Sequence, residues 1–303
     1  MKSFFLAPIL ALPLLAQPVP DKIDVNIDGK PFATFNAGMD AWKPFLAPLR
    51  SASGKIVTRR FPMEKVEGES KDHLHHRGLW FSYDDVNGVK FWENDPTYTK
   101  PNIGKIVVKR AALKDGAGSK TIDAVFNWND PSGKTLLVES RTMTFSGDAS
   151  TRTIDFDITL TASDKVVFGD TKEGAFAIRL ADALAEKKGT GKMVNAEGNV
   201  GMKDVWGKRS NWVDYSGAID GEKLGVAMFD HPANPAHPVR WHSRDYGLFA
   251  LNPWGQQAFD PKAEESHITL APGGSMHFRW RVLIHAGDSE SAHVAELYQK
   301  YAK

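Results

Sequence analysis

The chain has 303 residues, of which 42% are apolar and nine are Trp, enough to build a large core without covalent staples. It has no cysteine, which excludes disulfides and thiolate chemistry. With 38 basic against 37 acidic side chains, the formal net charge of +1 gives no electrostatic reason to expect a nucleic-acid partner.

The chain opens like a secretory leader. Lys2 gives a short positive region, Phe4 to Ala16 form an apolar run interrupted by Pro8 and Pro13, and Ala16 supplies a small residue for cleavage. The run is shorter than the ~20 apolar residues that span a bilayer. Residues 1–17 are therefore expected to be a cleaved signal peptide and 18–303 an exported domain, periplasmic or secreted, with no membrane association after cleavage. No later stretch approaches a span.

Strand signals then dominate. Ile23 to Ile27 alternates apolar and polar residues, and Asp28-Gly29 offers a tight turn into Phe32 to Phe35. Further strands are expected over 56–58, 78–83, 106–109, 121–128, 135–145 and 153–160, then 175–180, 192–195, 212–216, 224–229, 248–251, 267–270 and 276–285. In 153–160, Ile154, Phe156, Ile158 and Leu160 share one face and Asp155 and Asp157 the other, as in an antiparallel strand with one wet face. Those two acids are read as solvated surface rather than as a catalytic pair. Only the C-terminus reads as helix, with Asp288-Ser289 as N-cap and Val294, Leu297, Tyr298 and Tyr301 at helical spacing. The fold class expected is all-β: an antiparallel sandwich or supersandwich with one C-terminal helix.

The chemistry concentrates in two segments. Asp72-His73-Leu74-His75-His76-Arg77-Gly78-Leu79-Trp80 holds three of the ten histidines. If it enters a strand, His73 and His75 share one face and His76 the other. Such histidines can hold a divalent metal, with His242 as a third ligand, or act as acid and base near neutral pH. The plainer alternative is a surface loop or a core histidine bonded to backbone.

The second segment runs from Phe229 through His231, Asn234 and His237 to Trp241-His242-Ser243-Arg244-Asp245-Tyr246. Its prolines stiffen a loop that can hold polar groups in place. Trp80, Trp241 and Tyr246 offer flat faces for a sugar ring, and Arg244 a planar donor fork. Here the plain reading makes the aromatics core and the His-Pro pairs turn punctuation. Asn87-Gly88 marks a hairpin turn, and Val205 to Trp212 pairs two Trp with two cations. No phosphate-binding glycine loop, nucleophile elbow or metalloprotease helix pair is present.

The blocks DHLHHRGLW (72–80), DVNGVKFW (85–92), VWGKRSNWVDYS (205–216) and FDHPANPAHPVRWHSRDYGLFALNPW (229–254) together resemble the PmoA-like family, also called DUF6807. The resemblance implies a galactose-mutarotase-type β-supersandwich whose concave sheet binds sugars. The family name points to a methane oxygenase subunit, a multi-span protein unlike this chain. The resemblance brings His73, His75, His76, Arg77, His231, Asn234, His242, Arg244 and Tyr246 forward as motif residues.

The expected function is a carbohydrate-active enzyme using His75, His76, His242 and Arg77 for acid/base chemistry. Trp80, His231, Asn234, Trp241, Arg244 and Tyr246 would bind a small carbohydrate ligand. No cofactor is expected unless His73 and His75 hold a metal. The alternative is a non-catalytic glycan-binding module. The two histidine segments are expected to meet in one concave pocket.

Overall fold

The computed structural model describes residues 19–303; the expected leader, 1–17, lies outside them. The chain begins with β1 (Lys22–Ile27), β2 (Lys30–Asn36), β3 (Phe45–Leu49), β4 (Leu79–Tyr83), β5 (Lys105–Gly116) and β6 (Ser119–Asn129). It continues through β7 (Thr135–Gly147), β8 (Thr151–Ala162), β9 (Val166–Phe168), β10 (Gly174–Arg179), β11 (Lys192–Asn195) and α1 (Met202–Val205). The last elements are β12 (Trp212–Ile219), β13 (Glu222–Asp230), β14 (Arg240–Ser243), β15 (Leu248–Asn252), β16 (Ile268–Leu270), β17 (Ser275–Ala286) and α2 (Val294–Tyr301).

Two antiparallel sheets pack face to face. The first has seven strands in the order β1-β2-β3-β4-β10-β15-β14; the second has eight, β11-β12-β13-β17-β8-β7-β6-β5. A short ribbon pairs β9 with β16. The architecture is an antiparallel β-sandwich with a C-terminal helix, as the strand spacing implied.

The alternation of β8 sets its faces. Ile154, Phe156, Ile158 and Leu160 are buried between the sheets, while Asp155 pairs bidentately with Arg281 and Asp157 bonds His277 on the outer surface. In the core Phe176 of β10 stacks on Trp280 of β17 at 4.9 Å, and Phe81 of β4 packs edge-on against Trp128 of β6. Each such fully buried ring contributes on the order of 2–3 kcal/mol. One ionic pair sits in this layer: Arg141 donates to Glu139 at 2.6 Å, and Trp128 Nε1 donates to the same carboxylate.

The β1–β2 hairpin turns at Asp28 and Gly29, both at positive φ, as a two-residue loop requires. Several expectations need correction. Residues 56–58 form only isolated bridges. The strands β3, β9 and β14 were not anticipated. In β3, Pro48 sits where the register with β2 shifts, a bulge that accommodates a residue without an N–H. The helix starts at Val294, not after Asp288, because Asp288 instead closes a turn onto Ser291.

Candidate functional site

One face of the first sheet looks away from the core, and its register builds a floor. Phe45 lies opposite Trp80, Trp80 opposite Ala177, Ala177 opposite Ala250, and Ala250 opposite His242. Alternation puts all five side chains on the outer face. Two alanines at the centre keep it low, with Trp80 rising at one end and His242 at the other. Trp92, just beyond the Asn87-Gly88 turn, lies over this row, 5.0 Å from Trp80 and 6.4 Å from His242 between ring centroids. Buried Lys43 fixes it there, donating to Trp92 O at 2.6 Å and to Asn94 Oδ1 at 2.8 Å. Burial and then Arg77 hold the Lys43 ammonium well below its usual pKa.

The triple-histidine segment does not enter a strand. It is a turn, closed by His76 N–H donating to His73 O, with His73 at φ 47°. It presses so closely on β3 that a Cβ at Gly78 would stand 2.1 Å from Leu46 O. In this turn His73 and His76 stack on one another at 4.6 Å rather than facing opposite ways. His76 also stacks on Trp80 at 5.2 Å, and His73 on Tyr246 at 5.2 Å. Below them Arg59 and Arg179 each donate to Asp72 Oδ1 at 2.8 Å. Arg59 also donates to the carbonyls of His73 and His76, which fixes the turn.

This placement changes the roles expected of the turn. Burial, then Lys43, lowers the His75 pKa to about 2. Burial, then His75 and Arg179, likewise drives His76 well below its ordinary value. Both are neutral rings packed among aromatics; His75 Nδ1 meets Tyr98 Oη at 3.0 Å. Arg77 has a buried partner of its own, Asp95, at 2.8 Å. His75, His76 and Arg77 thus line the turn end of the floor as buried groups with partners inside the chain. Among the described residues, no three His, Cys, Asp or Glu side chains gather so as to hold a metal ion. His73 Nδ1 instead bonds Asp72.

A second set of ionisable groups, His242, Glu173 and Asp84, lies at the other end of the floor. Arg244 Nε–H donates to His242 Nε2 at 3.2 Å, so the neutral ring carries its proton on Nδ1. That nitrogen faces Glu173 Oε2 at 4.0 Å. Burial lowers the His242 pKa to about 4 against the pull of Glu173. Burial works against the Glu173 charge, but His242, Lys172 and Arg244 together hold its carboxyl below the usual range. Asp84 joins Glu173 through its backbone N–H, which donates to Glu173 O at 3.0 Å. Burial pushes the Asp84 carboxyl up to about 6.

Along the floor and its rim, five buried polar atoms find no hydrogen-bond partner in the chain: Trp80 Nε1, Trp92 Nε1, Ser82 Oγ, Asp84 Oδ1 and His242 Nδ1. An unmet buried polar group costs about 1–3 kcal/mol, so five together are not a casual feature.

The second segment divides. His242, Arg244 and Tyr246 join the turn at 72–77; His231, Asn234 and Trp241 do not. Trp241 points into the inter-sheet core, stacks on Phe249 and donates to Ser210 O, so it offers no face to a ligand. His231 packs against Tyr301 of α2, and Asn234 ties Asp230 to the backbone of Arg279. The cause is Asp230, a buried carboxylate that accepts from Asn234, His237 and Trp280 and anchors the proline loop on the second sheet. Glu173, Asp84, Lys43, Arg59 and Arg179 were not brought forward from the sequence as site residues, and Trp92 appeared only as the last residue of the block 85–92.

A model of the family described as "Family of unknown function (DUF6807)" matches residues 22–299, and the chain belongs to that family. No curated protein matches it. Among solved structures, the chain is similar to an alpha-galactosidase from Lactobacillus brevis (11% identity, TM-score 0.44) and to a beta-arabinopyranosidase (10%, 0.46). Each alignment covers 88% of this chain and 40% of the other, so the chain spans about two fifths of those proteins. A galactose mutarotase related enzyme from Lactobacillus acidophilus is 9% identical with a TM-score of 0.43, over 88% of this chain and 97% of that one.

Proposed function

We propose that the chain is an exported carbohydrate-active enzyme that moves protons on a sugar, glycoside or keto-sugar bound at the partly exposed rim of Glu173, Arg244 and Tyr246, beside the buried Ala177–Ala250 floor. The observation that carries this reading is the 4.0 Å gap between His242 Nδ1 and Glu173 Oε2, set beside unpartnered Trp80 and Trp92 N–H groups. A ligand hydroxyl oxygen fits the gap at about 2.7–2.8 Å from each atom, accepting from the imidazole and donating to the carboxylate. Glu173 then takes the hydroxyl proton, and the Nδ1–H of His242 steadies the oxyanion that forms.

Two carboxyls whose pKa values are pushed apart divide acid and base work between them. Glu173, held ionised, is the base; Asp84, raised to about 6, is the acid that returns a proton. The half-buried ring of Tyr246 offers an apolar face, and Arg244 a donor fork, to a polyhydroxylated ligand.

A glycan-binding module without catalysis would also use Tyr246 and Arg244, but it gives no role to the separation of the two carboxyls. Tryptophan fluorescence and calorimetry against a panel of hexosides and keto-sugars test the reading. Saturable binding that weakens in Tyr246→Ala is expected. Absence of binding across the panel overturns the proposal.

A further inference from the structure

A second cleft, of about 400 Å³, adjoins the site and shares His73 and Tyr246 with it. Its other walls include Lys71, Asp72, Asp182, Lys187 and Lys188. Both acids are already engaged. Asp72 accepts from Arg59, Arg179 and His73. Asp182 accepts from the backbone and hydroxyl of Ser70, with Lys188 at 3.4 Å. Glu69, nearby in sequence, is turned onto the amides of Arg60 and Phe61.

The cations are in excess. Arg59 and Arg179 are completely buried beneath the cleft and share the single carboxylate of Asp72. Burial, then Arg179, lowers the Arg59 pKa to about 10. At the rim, exposed Lys71 and Lys187 have no ion-pair partner among the described residues. A chain with a net charge of only +1 therefore gathers positive potential in one place. Buried cations project their field into a cleft with low-dielectric walls and favour an anion there.

We infer, resting on the proposed function, that the sugar bound at this site carries an anionic group, and that the Lys71–Lys187–Lys188 cleft is the subsite that receives it. A carboxylate of a hexuronide and a sulfate ester share the required chemistry: oxygen acceptors with full negative charge, which ammonium and guanidinium groups bind by charge-assisted hydrogen bonds.

The test is calorimetric affinity for matched sets of methyl hexoside, methyl hexuronide and 6-sulfated hexoside. The gluco, galacto and manno series are each run with the full chain and with a Lys71→Gln/Lys187→Gln/Lys188→Gln variant whose melting curve confirms folding. Wild type is expected to bind the anionic member of at least one set about tenfold more tightly than the neutral member. The variant should bring that ratio close to one, as should raising salt to about 0.5 M. The preferred anion, uronate or sulfate, identifies the source. Neutral and anionic members binding equally in wild type, or a ratio unchanged in the variant, overturns the anionic subsite alone. If no member of any set binds the folded protein, the carbohydrate reading falls and takes this inference with it.

Discussion

His242 presents Nδ1 to Glu173 Oε2 across 4.0 Å while Arg244 occupies its other nitrogen. Because guanidinium can only donate, Arg244 decides which imidazole nitrogen carries the proton. The ¹⁵N shifts of the His242 ring should show Nδ1 protonated and Nε2 free at pH 7, with both protonated only near pH 4. In Arg244→Met the ring is released, and a mixture of tautomers is expected together with a roughly 10- to 100-fold fall in turnover, below the ~10²–10⁴-fold of a general acid or base because Arg244 acts on the proton transfer only through His242. A wild-type ring protonated on Nε2 would remove the proton donor from the gap.

Asp84 carries a stability signature whose sign follows from its raised pKa. The unfolded carboxyl titrates near 3.9 and the folded one at about 6, so the folded state holds the proton more tightly. The stability it gives is fully present below about pH 4 and is lost as pH rises through 6, a change of about 2–3 kcal/mol. Asp84→Asn should therefore unfold at higher urea than wild type at pH 8 and at nearly the same urea at pH 4. The same variant should lose turnover, because the amide cannot return a proton. Wild-type activity should fall as pH rises past about 6–7.

The division of the proline-rich segment predicts a contrast between its ends. Tyr246 stacks on His73 beside the floor, whereas His231 packs on Tyr301 at the second sheet. Tyr246→Ala should weaken ligand binding roughly tenfold, and His231→Ala should leave it unchanged while lowering thermal stability. Calorimetry on the two variants checks this, and equal losses of affinity would contradict the assignment.

The Glu139–Arg141 pair in the core makes a prediction about stability alone. Removing one partner strands a buried charge, so Arg141→Met should cost about 3–5 kcal/mol. Adding Glu139→Gln removes that charge and keeps an acceptor for Trp128, so the double variant should recover at least half of the loss. Urea denaturation of the two variants gives the comparison.

The sandwich was legible because its strands alternate cleanly, as Ile154 to Leu160 does, or are bounded by turns such as Asp28-Gly29 and Asn87-Gly88. The strands that escaped carry proline, as β3 does, or are short, as β9 and β14 are. The site was legible only in part. His242, Arg244 and Tyr246 announced themselves by density of polar and aromatic residues. Glu173 sits in an unremarked bend, Asp170-Thr171-Lys172-Glu173, and comes near His242 only because β10 and β14 lie on the same sheet. Lys43, Arg59 and Arg179 are isolated cations in sequence, and only long-range packing brings them beneath the histidine turn. Trp241 misled because alternation in β14 sends it inward and its neighbour His242 outward.

In the proposed function Glu173 takes a proton from a bound sugar. Proton NMR in D₂O tests it most directly, following a panel of aldoses, keto-sugars and glycosides at about pH 6 with wild type and with Glu173→Gln. Wild type is expected to accelerate interconversion, deuterium uptake or cleavage of at least one sugar, and folded Glu173→Gln to be slower by at least about 100-fold. A wild type that alters none of them, or a Glu173→Gln variant as fast as wild type, would contradict it.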